Sequence, residues 1–158
     1  MLQTLGLEYH YQYGKKIVFP EIEVKKGQRL LISGFSGCGK TTLLSLIAGA
    51  LKLQAGDIKF DGHEYSKMSS LFLDKFRADH IGYIFQTLNL IPFLSVSENI
   101  ALGIKFSKSR KSKVANLNQE IIRLISSLGL EKEVLNTPVN RLSVGQQQRV
   151  AVARALLG

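Results

Sequence analysis

The sequence predicts an α/β chain, and three observations carry that reading. Short apolar or alternating runs fill its first third. A glycine-rich stretch then separates one such run from a helical pattern. From Ser97 onward the apolar spacing is helical almost throughout.

Taken in order, residues 5–13, LGLEYHYQY, alternate apolar and polar positions and read as a strand. Ile17–Val24 reads as a second strand broken at Pro20, and Gly27 marks a turn. Arg29–Ser33 is a short apolar run ending at a glycine loop, the pattern of a buried strand. Lys40–Leu51 sets Leu43, Leu44, Ile47 and Leu51 at helical spacing. Gly49 inside that helix would cost about 1 kcal/mol relative to alanine. Asp57–Phe60 followed by Asp61-Gly62 predicts a strand and a tight turn. Ser69–Ala78 is expected to be a helix with Leu71, Phe72 and Phe76 as its apolar face, and Ile81–Phe85 a strand ending at Gln86. Ser97, with Glu98 and Asn99 behind it, marks a helix start, and Asn118–Leu128 a helix ended by Gly129. Ser143–Leu157 is a last helix with Ser143 as its N-cap.

The chain has 158 residues, enough for one domain with a hydrophobic core, and 45% of them are hydrophobic. No apolar run approaches the roughly 20 residues of a membrane helix, and the start lacks the shape of a signal peptide. With a single cysteine, Cys38, no internal disulfide forms, and a cytosolic setting is expected. The net charge of +9 raises nucleic acid as a partner. Part of that charge lies in Lys105–Lys113, which is polar and holds one aromatic, Phe106. Stacking on bases is poorly supported there, so nucleic acid is not the expected partner. The stretch reads as a solvated loop or helix start, with anionic lipid headgroups as a second reading.

Residues 34–41, GFSGCGKT, match G-x-x-x-x-G-K-[ST] at every fixed position. Glycines let the backbone curl so that several N–H groups point at phosphate oxygens. The helix that opens at Lys40 adds its positive end. Lys40 is placed to meet the β/γ-phosphates and Thr41 to offer its hydroxyl to Mg²⁺. Gly34, Ser36, Gly37, Cys38, Gly39, Lys40, Thr41 and Thr42 are therefore the expected nucleotide-binding residues. No functional thiol is expected of Cys38, whose alkylation would still block nucleotide. His10, His63 and His80 are expected to be ordinary surface or strand-end residues.

Two later segments narrow the family. Residues 142–156, LSVGQQQRVAVARAL, resemble the ABC signature and the helix that follows it. Residues 84–100, IFQTLNLIPFLSVSENI, resemble the Q-loop and the start of the ABC helical subdomain. Phosphate loop, Q-loop and signature stand in the family's order and at its spacing. The chain thus resembles an ABC transporter ATP-binding subunit. The runs 73–77, LDKFR, 80–86, HIGYIFQ, and 89–92, NLIP, bring it nearest the lipoprotein-release, macrolide-export and cell-division type.

That resemblance implies a P-loop NTPase (RecA-like) core, residues 1–86, a helical subdomain, 87–141, and a signature segment, 142–158. It implies ATP and Mg²⁺ as ligands. Gln86 is implied to touch Mg²⁺ and the attacking water, and either Tyr11 or Tyr13 to stack on adenine. Ser143, Gly145 and Gln146 are implied to reach the ATP of a second subunit in a head-to-tail dimer. Val144 stands where glycine is usual, which is tolerable if only its backbone faces phosphate. The further partners implied are integral membrane permease subunits, and the implied location is the inner face of the cell membrane. In this family an Asp-Glu pair after the signature, and a later histidine, complete catalysis. They are absent from residues 1–158, and Glu131 and Glu133 do not replace them. The chain alone is therefore expected to bind ATP without turnover. Lacking the strand that would flank Arg29–Ser33, it is also expected to be poorly stable alone. A soluble ABC ATPase outside transport and a non-catalytic remnant stand as the alternative functions.

Overall fold

The computed structural model describes residues Met1–Gly158, and their packing divides the chain into two units, Met1–Asp74 and Lys75–Gly158. The first unit is built around β1 (Leu2–Tyr9). Beside it run β2 (Ile17–Val18) and β3 (Ile22–Val24), both antiparallel. After α1 (Lys40–Ile47), β4 (Ala55–Phe60) pairs antiparallel with the other edge of β1, and β5 (His63–Glu64) with β4. Leu7, Phe19, Leu43, Leu46, Ile58 and Tyr65 form the core of this unit.

Local chemistry explains where these strands begin and end. β1 stops at Tyr9 rather than Tyr13, because the Gln54 side chain satisfies both the N–H and the carbonyl of His10 (2.8 and 3.0 Å). The chain then turns, Gly14 N–H donating to Tyr11 O at 2.9 Å. Pro20 does break the second strand into two. The buried Thr4 hydroxyl bridges the gap, accepting from Ile22 N–H and donating to Pro20 O. Gly6 and Gly56 (φ +55 and +76) face each other where the β1–β4 register shifts. A Cβ at Gly56 would fall 2.3 Å from Gly6 O, so this crossing requires glycine. Asp61-Gly62, both at positive φ, form the expected tight turn.

Three further expectations change. Arg29–Ser33 is irregular, and Leu31 is 88% exposed. A strand is defined by its ladder, and no segment of this chain pairs with it. Gly49 lies past the helix, at φ +66 behind the C-cap residue Ala48, where glycine favours termination instead of weakening an interior. Leu71 and Phe72 face solvent on α2 (Ser70–His80), while Leu73 packs beside Gly49 and Phe76 is buried.

The second unit is helical. Ile81–Phe85, expected as a strand, is irregular for the same want of a ladder partner. α3 (Val96–Lys105) starts at Ser95, not Ser97, because Ser95 and Glu98 form a reciprocal capping box. α4 (Lys108–Lys113) follows from the N-cap Ser107, and α5 (Leu117–Ser127) from the N-cap Asn116. Gly129 (φ +70) ends α5 as expected. α6 (Val144–Leu156) has Ser143 as its N-cap, also as expected. Ile100 and Ile104 of α3, Ile121 and Ile125 of α5, and Val150 of α6 close a shared core. A Cβ at Gly103 would meet Arg154 O at 2.2 Å, so α3 and α6 touch backbone to backbone there.

The basic stretch Lys105–Lys113 is not wholly solvated. Arg110 is 7% exposed and donates through Nη2 to Ala155 O (3.0 Å) and Leu157 O (2.5 Å). It thereby satisfies carbonyls that the end of α6 leaves open. Burial pushes its guanidinium below the usual value, against a favourable field from Asp79. No helix of the chain is long and apolar enough to cross a membrane.

Candidate nucleotide-binding site

The glycines of residues 34–39 have the conformations that the loop demands. Gly34, Gly37 and Gly39 lie at φ +153, +80 and +98. Gly39 is the N-cap of α1, and the Ile17 and Phe19 side chains close to 3.1 Å of where its Cβ would stand. The loop is thus held against β2 by a contact that leaves little room for a side chain at residue 39, where the positive φ also favours glycine. No side chain caps α1, and its first turn holds no acidic residue. Several N–H groups of the first turn therefore lack an intrahelical partner, and the complement of such an end is an external anion.

Lys40 folds back over the loop. Its Nζ donates to Gly34 O (2.8 Å) and Phe35 O (2.7 Å) and lies 3.7 Å from Cys38 Sγ. The ammonium is thus held at the loop by groups that also fix its curvature. Ser36, Gly37, Cys38 and Thr41 are exposed around it, while Thr42 is buried. Thr42 Oγ1 lies 3.0 Å from the Tyr11 hydroxyl, and Tyr9 packs edge-on against the Tyr11 ring. Tyr11 is therefore tied to the first turn of α1, whereas Tyr13 is 95% exposed. Sequence spacing could not show that tie, because it depends on the turn at residues 10–14. The bracing by Ile17 and Phe19 was likewise unsignalled, since apolar residues in a strand announce only burial.

The remaining expected site residues lie in the second unit. Gln86 sits in a turn closed by Leu88 N–H donating to Phe85 O at 3.0 Å. Leu88 and Asn89 follow at φ +61 and +46, an uncommon conformation for two successive residues other than glycine. Arg154 donates to both of their carbonyls. Beyond them, the fully buried Asn99 fixes residues 91–95. Its Oδ1 accepts from Ile91 N–H, and its Nδ2 donates to Ile91 O, Leu94 O and Ser95 O. The sequence does not single out Arg154, and it marks Asn99 only as part of a helix start.

At the start of α6, Ser143 Oγ accepts from Gln146 N–H (3.3 Å), and Gln146 Oε1 accepts from Ser143 N–H (2.9 Å). Arg149 donates to Gly145 O and Gly129 O, bracing this end against the loop after α5. Val144 is 67% exposed, so its side chain crowds nothing within the chain. Its N–H and that of Gly145 belong to the open first turn.

Comparison with known proteins identifies the family. Residues 20–158 match the family model described as ABC transporter. The chain is 36% identical, over 94% of its length, to the bacitracin export ATP-binding protein BceA of Halalkalibacterium halodurans, and spans 59% of that protein. It is 34% identical, over 99% of its length, to the lipoprotein-releasing system ATP-binding protein LolD of Chromohalobacter salexigens, spanning 66% of it. Among solved structures it superposes on the dimeric ABC transporter cassette MJ0796 with a TM-score of 0.83 at 30% identity, covering 99% of this chain and 69% of that one. The same cassette is known in a post-hydrolysis state bound to ADP and Pi, with the same TM-score of 0.83. The chain therefore belongs to the ABC transporter family and has the α/β fold of a P-loop NTPase core.

Proposed function

We propose that this chain is the nucleotide-binding part of an ATP-binding subunit that drives a membrane transporter, acting beside permease subunits at the inner face of the cell membrane. The observation that carries the reading is the uncapped start of α1, with Lys40 held over the glycine loop. An uncapped helix end and a fixed ammonium together suit a polyphosphate.

The chain's own residues divide the work. Backbone N–H groups from Gly37 to Thr42 receive the phosphates, and Lys40 turns from the loop carbonyls to the β/γ-phosphates. Tyr11, already tied to Thr42, is the better placed of the two tyrosines to stack on adenine. Mg²⁺ suits the exposed Thr41 hydroxyl, because that ion takes few protein ligands and completes its shell with phosphate oxygens and water. When bound, Mg²⁺ would neutralise charge on the phosphates. Gln86 orients the attacking water. Ser143, Gly145 and Gln146 address the nucleotide of a second subunit, the capping box opening so that Ser143 Oγ faces phosphate. Within this reading residues 1–86 form the core, 87–141 the helical subdomain and 142–158 the signature segment.

Titration with a fluorescent ATP analogue tests the reading. Saturable binding is expected, weakened at least about tenfold by Lys40→Ala, which removes a charge-assisted contact. Equal binding by the Lys40→Ala variant would overturn it.

A further inference from the structure

The turn that displays Gln86 is braced on both sides by the last turn of one helix. Before Gln86, the backbone passes so close to α6 that a Cβ at Gly82 would fall 2.3 Å from Ala155 O. After it, Arg154 grips the two residues at positive φ, Nη2 donating to Leu88 O at 2.6 Å and Nη1 to Asn89 O at 2.7 Å. Local bonds alone tie the turn loosely. Asn89 N–H donates to Thr87 O, and Thr87 Oγ1 to Asn89 Oδ1, both within the turn itself. Arg154 is the side chain that connects this turn to a regular element.

The chemistry of that contact calls for arginine. Two adjacent carbonyls match the planar fork of a guanidinium, whereas a lysine presents one point charge on a flexible stem. The Arg154 backbone is itself fixed, because its carbonyl lies against Gly103 of α3. No carboxylate competes for the guanidinium, and burial alone pushes its pKa below the usual value. The other end of the same helix carries Ser143, Gly145 and Gln146.

We propose that Arg154 is the positioning residue for Gln86, clamping the Leu88–Asn89 carbonyls so that α6 joins the Gln86 turn to the Ser143 end as one strut. The functional half of this inference rests on the role proposed for Gln86. The structural half does not.

The test uses the protein with Arg154→Lys, Gln86→Ala and the double variant. Hydrogen exchange reads the clamp directly. Amides of residues 88–90 should exchange at least about tenfold faster in Arg154→Lys, with those of Val150–Ala153 unchanged. Unchanged exchange at 88–90 overturns the clamp. ATP turnover reads the positioning. Arg154→Lys should lower kcat about 10- to 100-fold with the KM for ATP changed less than about threefold. On the Gln86→Ala background it should lower kcat by less than about twofold. Equal losses on both backgrounds would show a purely structural residue and overturn the positioning role. If Gln86→Ala leaves kcat unaltered, the reading of Gln86 fails and with it the positioning role, while the exchange result still decides the clamp.

Discussion

Arg110→Met should destabilise the protein although Arg110 lies in a run of surface charges. The side chain is 7% exposed, and one of its nitrogens serves both Ala155 O and Leu157 O. Methionine keeps most of the buried stem and removes the donor. Two carbonyls then lose their partner in a closed environment, at about 1–3 kcal/mol each. Release of the guanidinium from its desolvated position offsets part of that loss, as the downward push on its pKa indicates. A net loss of about 2–3 kcal/mol is expected, or about 5–10 °C in Tm for a domain of this size. The Ser107 cap of α4 survives the change, because it uses the Arg110 backbone N–H at 2.9 Å. Urea unfolding of Arg110→Met should be compared with Lys111→Met, whose side chain is exposed one residue along. The reasoning fails if the two variants unfold within about 0.5 kcal/mol of each other, the ordinary range of a surface change.

Three further outcomes follow from the first unit. ATP should slow alkylation of the exposed Cys38, which lies inside the phosphate loop beside Lys40; labelling at the same rate with saturating ATP would place the thiol away from nucleotide. Gly56→Ala should cost more than about 2 kcal/mol in denaturant unfolding, because a Cβ there meets Gly6 O at 2.3 Å on a backbone at φ +76; a near-neutral result would mean that the crossing is not as tight as it stands. Partial burial by itself would raise the Asp57 carboxyl, but bonds from the Ser66 hydroxyl and N–H, and from Ile58 N–H, hold it below its usual value. Such a group adds stability above its unfolded value and gives it up as pH falls through the lower folded one. Ser66→Ala should therefore cost about 1 kcal/mol at pH 7 and less near pH 3. Thermal unfolding at the two pH values checks this, and an equal loss at both would refute it.

What could be read from the sequence divides along a physical line. Features set by a few neighbouring residues were legible: the curled glycine backbone of residues 34–39, the Asp61-Gly62 turn, the Ser143 cap and the Gly129 stop. Each is decided by backbone conformations and hydrogen bonds within about one turn. The α3 start was missed by two residues because Ser95 and Ser97 both suit an N-cap, and only Ser95 stands three before the acidic partner Glu98. The strands at Arg29–Ser33 and Ile81–Phe85 were misread for a different reason. An apolar run carries the side-chain signal of a strand, but the ladder that makes it one comes from another segment, and none in this chain pairs with either.

Arg110 and Arg154 mark the limit on the polar side. Arg110 belongs to a stretch that reads as a solvated loop or helix start and Arg154 to the last helix read from the sequence, and both deliver a guanidinium to main-chain carbonyls far along the chain: Arg110 to the end of α6, Arg154 from that end to the turn after Gln86. The two contacts act in series. Arg110 fixes the last carbonyls of α6, and the last turn of α6 carries Arg154 toward Leu88 and Asn89. Loosening the first should therefore weaken the second. Arg110→Met is expected to speed exchange at residues 88–90 although it touches none of them. Lys111→Met should leave those amides unchanged. If Arg110→Met lowers stability but leaves exchange at 88–90 unaltered, the α6 end is held well enough by its packing on Gly82 and Gly103, and the two arginines act independently.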